Sequence, residues 1–540
     1  MKKFFEKHDL VKISLIMIMI TVLLSWVVKQ GYFNAGELTV GEITRVGMFD
    51  FVTYGLLGMY YFTVLVAFLF VLGGFYQFLS KLGAYQKLTD KIASKIKGKE
   101  ILFSLIISFV FAALASIVNE YLVLVAFMPF IITICSKLGM SKISSFVTTF
   151  GAMLIGILGS TISTKVAGMN VQYFNLQYTN NLLEKILLFA IAFIIYSLFN
   201  IMYMKKTLKD NKEKKTIIGF FITLVDIGLL VLFFIIKKLV FYILLGVSVL
   251  ALVAYIVYVI KFANKDKKKN NKKTSKASKS KEVKVIENKV SEDLFAETVK
   301  DSDKSNTIPL IIVGILAILT VILAYIPWVN VFKVDWFTKA FTAVTEVQVF
   351  GVPLFSYILG NVSEFGSWDL FGVQVVMLLS IVVLAICYKK GLTDIIDSFC
   401  EGFKKSGKLV VMLLLAYVIL EFAVMYPVIP TIIGKVLGTK FNVFTTGLAG
   451  IITSLFTSEY QYTINLVYSY FATAYAGNLN VVSIILQSTY GLVSFFAPSS
   501  AMLLVGLSYL DIPYKDWMKY IWKFLVAMLI VIIVMAFIIA

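Results

Sequence analysis

Ser116-Ile117-Val118-Asn119-Glu120-Tyr121, followed by Gly159-Ser160-Thr161, sets polar residues inside apolar sequence, and the chain carries this pattern twice. The second copy reads Ser454-Leu455-Phe456-Thr457-Ser458-Glu459-Tyr460, followed by Pro498-Ser499-Ser500. Glu120 precedes Ser160 by 40 positions, and Glu459 precedes Ser499 by 40. A carboxylate near a bilayer midplane is costly and is normally retained there for a function. Two of them, each with a helix-breaking polar cluster at equal distance, point to an internally repeated transporter.

The surrounding composition fits a bilayer. The 540 residues are 59% hydrophobic and 15% charged, where soluble domains sit at roughly 45–50% apolar. The chain therefore reads as an all-α polytopic membrane protein. The apolar run from Val11 to Val28 has no small-residue cleavage site after it and reads as a retained first span. Cys135, Cys387 and Cys400 are too few and too scattered for a disulfide framework or a thiolate metal site. The net charge of +19 is almost wholly lysine, with Arg45 the only arginine. These lysines cluster in loops and one linker, which suits membrane orientation rather than nucleic-acid binding.

Lysine placement predicts the layout. Lys2, Lys3, Lys7 and Lys12 put the N-terminus in the cytoplasm. Residues 1–205 form a first repeat, with a hairpin at 101–136 entering from the cytoplasm and a broken helix at 143–164. Two connecting transmembrane helices occupy 206–260. Residues 261–306 hold fourteen lysines with few aromatics, which predicts a disordered, solvated cytoplasmic linker. Residues 307–540 form the second repeat, with a hairpin at 443–475 entering from outside, a broken helix at 481–510 and an external C-terminus. About eleven transmembrane helices and two re-entrant hairpins then make an inverted repeat. The lysine bias fits an AT-rich bacterial genome, so a bacterial cytoplasmic membrane is the expected location.

Hairpin tips and broken helices expose backbone groups, which is tolerable only where they are protein-buried or line a wet cavity. Half-helix N-termini suit anions, and unwound carbonyls suit cations. The candidate substrate or cation site is Ser116, Asn119, Glu120, Gly159, Ser160, Thr161, Thr457, Ser458, Glu459, Pro498, Ser499 and Ser500. Glu120 and Glu459 suit a coupling cation, a proton or a cationic substrate group; the plainer reading has them cap the following arm. A coupling Na+ would sit near Asn119, Glu120, Ser458 and Glu459. Lys165 is expected to snorkel to the outer interface, Glu421 to lie near an interface, and Asp226 to pair with a neighbouring helix. Gly73-Gly74 is expected to permit close helix packing. His8 is the only histidine, and no glycine-rich phosphate loop occurs. The chain does not read as an enzyme and implies no cofactor beyond a coupling Na+ or H+.

At these residues the chain resembles the ion transporter superfamily, nearest the anaerobic four-carbon dicarboxylate carriers and the YfcC-type basic amino-acid antiporters. The matching pieces are Lys97-Gly98-Lys99-Glu100, Asn119-Glu120, Ala497-Pro498-Ser499-Ser500-Ala501-Met502-Leu503 and Ile512-Pro513-Tyr514-Lys515-Asp516-Trp517. They fall within 40–205 and 407–525. The resemblance implies a scaffold domain, a transport domain bearing both hairpins, elevator-like alternating access and often a homodimer. The second tip, Glu459-Tyr460-Gln461, is bulkier and more acidic than the family's Ser/Gly-rich tip, and Gly159-Ser160-Thr161 replaces a frequent Asn-Pro.

The leading expectation is secondary transport of a small carboxylate-bearing solute such as an amino acid, coupled to Na+ or H+ or by exchange. Two tip glutamates would repel a dianion, and no arginine in either hairpin can clamp a carboxylate. The alternative is a four-carbon dicarboxylate carrier; from another class, a channel-like pore would keep the hairpins without alternating access.

Overall fold

The computed structural model describes residues 9–207, 217–225, 290–297, 305–360 and 363–540. Of the expected connecting spans only 217–225, which is helical, falls within these residues; Asp226 and most of the linker lie outside them.

The first half comprises α1 (Asp9–Val27), α2 (Met48–Tyr61), α3 (Thr63–Ser80), α4 (Gly83–Ile96), α5 (Glu100–Ile117), α6 (Met128–Lys137), α7 (Lys142–Thr148), α8 (Phe150–Leu158), α9 (Met169–Phe174) and α10 (Leu182–Thr207). The second half comprises α11 (Ile308–Tyr325), α12 (Trp336–Thr345), α13 (Leu354–Leu359), α14 (Leu370–Cys387), α15 (Leu392–Met425), α16 (Ile429–Val436), α17 (Val443–Ser454), α18 (Tyr460–Asn465), α19 (Tyr468–Ala474), α20 (Leu479–Val493), α21 (Ala501–Tyr509) and α22 (Tyr514–Ile539). Eight of the described helices are long and apolar enough to cross a membrane: α1, α3, α5, α10, α11, α14, α15 and α22. The protein is thus a polytopic helical membrane protein. Among the described residues its one two-stranded ribbon is the antiparallel pair β1 (Gly31–Asn34) and β2 (Glu37–Val40), beside isolated bridges Ser141–Val290 and Val349–Val352. Ala35 and Gly36 turn that ribbon with φ of 46° and 85°, and the second residue is glycine because a Cβ there would also stand 2.5 Å from Thr473 Cβ.

α15 is the spine. Its 34 residues run roughly 50 Å at about 1.5 Å per residue, well past a hydrocarbon core of about 30 Å. It packs along α3, α1, α2 and α21. Against α3 the approach is backbone-close: a Cβ on Gly73 would stand 2.7 Å from the Gly402 carbonyl oxygen, and one on Gly74 would enter the Phe399 ring. Small residues permit such crossings where lipid offers no hydrophobic drive to associate.

Each polar cluster interrupts a helix as its sequence indicates. α5 stops at Ile117, and after Val118–Glu120 a tight turn of helix, Tyr121–Phe127, leads into α6. α17 stops at Ser454, and the chain restarts as α18 at Tyr460. Behind each hairpin lies a broken helix. α8 ends before Gly159 and resumes as a wide turn, Thr164–Gly168, then α9; α20 ends at Val493 and resumes as α21. α5 packs on α8, α17 on α20, and α8 on α20. Ser160 and Ser499 are fully buried, Ser500 nearly so, which explains why small hydroxyls occupy these breaks.

The linker departs from expectation. Residues 290–297 are packed against the helices: Phe295 is fully buried and Leu294 packs beside the core. The lysine count obscured these two apolar side chains.

Candidate functional site

Lys165 brings the two tip glutamates together. Its Nζ lies 3.1 Å from Glu120 Oε2 and 3.4 Å from Glu459 Oε2. The expected snorkelling is therefore wrong: the wide turn Thr164–Gly168 directs this lysine inward, between the tips. Glu120 sits at the end of its break, where Oε1 also accepts the Leu122 amide at 3.2 Å. The capping reading thus holds for one oxygen of Glu120. Glu459 makes no cap bond; its Oε1 accepts the Tyr417 hydroxyl at 2.7 Å. Side-chain exposures are 11% for Glu120, 12% for Glu459 and 30% for Lys165, so the triad is largely removed from solvent, where paired charges are screened least.

Aromatic side chains frame it. Phe62, at the α2–α3 joint, lies against the Tyr417 ring with centroids 3.7 Å apart. Tyr490 donates to the Ser458 carbonyl at 2.9 Å, and Ser458 Oγ donates to the Ala416 carbonyl at 3.1 Å. Beside the triad, Tyr121, Tyr417, Ser458, Tyr490 and Ser500 line a cavity with room for little more than a water molecule.

A family model described as C4-dicarboxylate anaerobic carrier (DcuC) matches residues 8–221 and 232–540, nearly the whole chain. The chain belongs to the C4-dicarboxylate anaerobic carrier family. It is a membrane carrier and not an enzyme. Among curated proteins none matches. Among solved structures, MtrF of Neisseria gonorrhoeae, described with a class of antimetabolite efflux pumps, aligns over 98% of this chain and 94% of its own at 11% identity and a TM-score of 0.35. So distant a likeness bears on nothing further here.

The carrier's other predicted site residues divide into stitches and linings. Ser116 Oγ donates to the Gly159 carbonyl at 3.0 Å, and the Thr161 amide donates back to Ser116 Oγ at 3.0 Å. Ser163 Oγ donates to the Val118 carbonyl at 2.7 Å. Asn119 is fully engaged: Nδ2 donates to the Gly366 carbonyl at 2.6 Å, its amide to the Tyr325 carbonyl, and Oδ1 accepts from Thr164. It anchors the tip to the segment beyond α11 rather than facing the triad. Thr457 bonds the Thr463 hydroxyl at 2.6 Å, inside its own hairpin. Ser499 Oγ donates to the Ser454 carbonyl at 3.4 Å, and Ser500 caps α21. Pro498, between α20 and α21, brings no N–H to the break. Gly159 serves packing: a Cβ there would stand 2.5 Å from Phe189 Cα. Ser160 Oγ is buried without a partner, as is Gln487 Oε1, while Gln487 Nε2 donates to the Ser160 carbonyl at 2.5 Å.

Sequence reasoning passed over Tyr417 and Gln487, which carry no charge and break no helix. Glu421, one turn beyond Tyr417, is 5% exposed with both carboxyl oxygens unpartnered and lies beside Gly58 of α2. Among the described residues no cluster of three or more His, Cys, Asp or Glu could hold a metal ion.

Proposed function

We propose that this carrier moves a C4-dicarboxylate by alternating access, with Lys165 receiving one substrate carboxylate. The observation that carries this reading is the ammonium held between the two tip glutamates. One ammonium against two carboxylates leaves a net negative site, which repels a dianion. Neutralising that excess with the coupling ion frees the lysine N–H groups for a substrate carboxylate. Unit charges about 4 Å apart interact by about 4 kcal/mol at an effective dielectric of about 20, so the sign decides entry. Coupling to protons follows, since the ammonium already stands where a Na+ between the glutamates would lie.

Family membership and Lys165 favour the dicarboxylate over an amino acid, because the argument for amino acids rested on two unopposed glutamates. The inverted repeat is supported by matching stitches: Ser116 to Thr161 and Ser454 to Ser499 are each 45 positions apart. The hairpins with α8, α9, α20 and α21 are the proposed transport domain, and α3, α14 and α15 the core of the scaffold. The lysine-rich side is taken as cytoplasmic, with the C-terminus outside.

Counterflow in proteoliposomes tests this reading, with C4-dicarboxylates and amino acids offered separately at several pH values. Dicarboxylates exchange, uptake rises as pH falls, Glu120→Gln with Glu459→Gln flattens that dependence, and Lys165→Ala abolishes exchange. Exchange of amino acids alone, or wild-type exchange by Lys165→Ala, would overturn it.

A further inference from the structure

The packed part of the linker, residues 290–297, ties together two groups of helices. On one side, Val290 pairs antiparallel with Ser141, and the Ser291 amide donates to the Met140 carbonyl at 2.9 Å. Asp293, 8% exposed, accepts the Thr133 hydroxyl of α6 at 2.7 Å and the Tyr509 hydroxyl of α21 at 2.6 Å. These partners belong to the hairpin and broken-helix group. On the other side, Phe295 stacks on Tyr76 of α3, with centroids 6.3 Å apart, and meets Tyr509 edge-on at 5.9 Å. Glu297 Oε1 accepts Gln77 Nε2 of α3 at 2.8 Å and pairs with Lys405 of α15 at 2.8 Å. Three of the eight residues are acidic, and of these Glu297 meets a lysine, Lys405, directly.

A buried aromatic, a buried carboxylate with two hydroxyl donors and a strand pairing exceed what a connecting loop requires. Helices that slide past one another cannot keep a common partner wedged across their seam. We infer that residues 290–297 are an intrachain clasp that holds the hairpin group against α3 and α15 and must lift away for the carrier to cycle. Phe295 is the wedge, Asp293 the latch on α6 and α21, and Glu297 the hold on α3 and α15. The clasp takes from the proposed function only that these helix groups move relative to each other.

Two variants of the full chain test it, measured against wild-type counterflow, which separately tests the transport reading. Asp293→Asn with Phe295→Ala releases the clasp, so exchange runs several-fold faster at unchanged half-saturation; an unchanged or slower rate would overturn the inference. Should that variant fail to fold, a second comparison decides. Phe295 is fully buried at rest. With Cys135, Cys387 and Cys400 replaced by serine, Phe295→Cys is treated with a maleimide during counterflow and without substrate. Labelling runs several-fold faster during counterflow. Equal labelling rates in the two conditions would show a static filler and sink the clasp.

Discussion

Lys165 shows how a charge in an apolar sequence can be visible while its partner is not. Its position after a break is readable, but the side to which it points depends on the hand of the wide turn Thr164–Gly168. Tyr417 had no signal, being one tyrosine among 28, yet its hydroxyl orients Glu459. Tyr417→Phe keeps the ring against Phe62 and removes only that donor. A hydrogen bond to a charged group contributes about 1.5–3 kcal/mol, so dicarboxylate exchange should fall about tenfold or more while the melting temperature moves by only a few degrees. A parallel loss of both would assign the hydroxyl to folding. Asn119 was legible as a polar tip residue, but its hydrogen-bond partners at Gly366 and Tyr325 belong to the other half and could not be read from spacing.

The helix interruptions were readable at the scale of elements because polar clusters break apolar runs on both halves. The contact between the two broken helices was not. α8 and α20 meet where a Cβ on Gly491 would stand 2.2 Å from Leu158 Cα, a backbone atom that cannot step aside. Gly491→Val should therefore force the helices apart and cost about 1–3 kcal/mol, as overpacking does. Gly447 of α17 is the control: its nearest neighbour would be Ile485 Cγ2 at an ordinary 3.9 Å. Gly447→Ala should leave the melting temperature unchanged or raise it slightly, since alanine favours helix by up to about 1 kcal/mol. Thermal unfolding in detergent measures both, and equal melting temperatures for the two variants would contradict the close crossing. The β1–β2 ribbon was also missed, because two four-residue strands leave almost no period to detect.

The halves interleave in the whole molecule: α3 lies along α15, α1 along α15, and α8 against α20. Lys165 of one half pairs with Glu459 of the other. Two polypeptides split at residue 275, within the lysine-rich segment, should thus co-purify when expressed together and retain dicarboxylate exchange. Halves that purify separately would show that the covalent link, rather than this packing, holds the carrier together.

Composition, the two carboxylates and their equal spacing to the breaks determined that this is a helical membrane protein with paired discontinuities. Those properties are local: a run of apolar residues or a break acts on its own neighbours along the chain. The tertiary structure decided which charge answers the glutamates, which tip residues are stitches, and that part of the linker is a wedge. Each depends on residues far apart in sequence, Lys165 with Glu459, Asn119 with Gly366 and Phe295 with Tyr76. Through-space electrostatics and packing join them, and linear spacing does not encode that proximity.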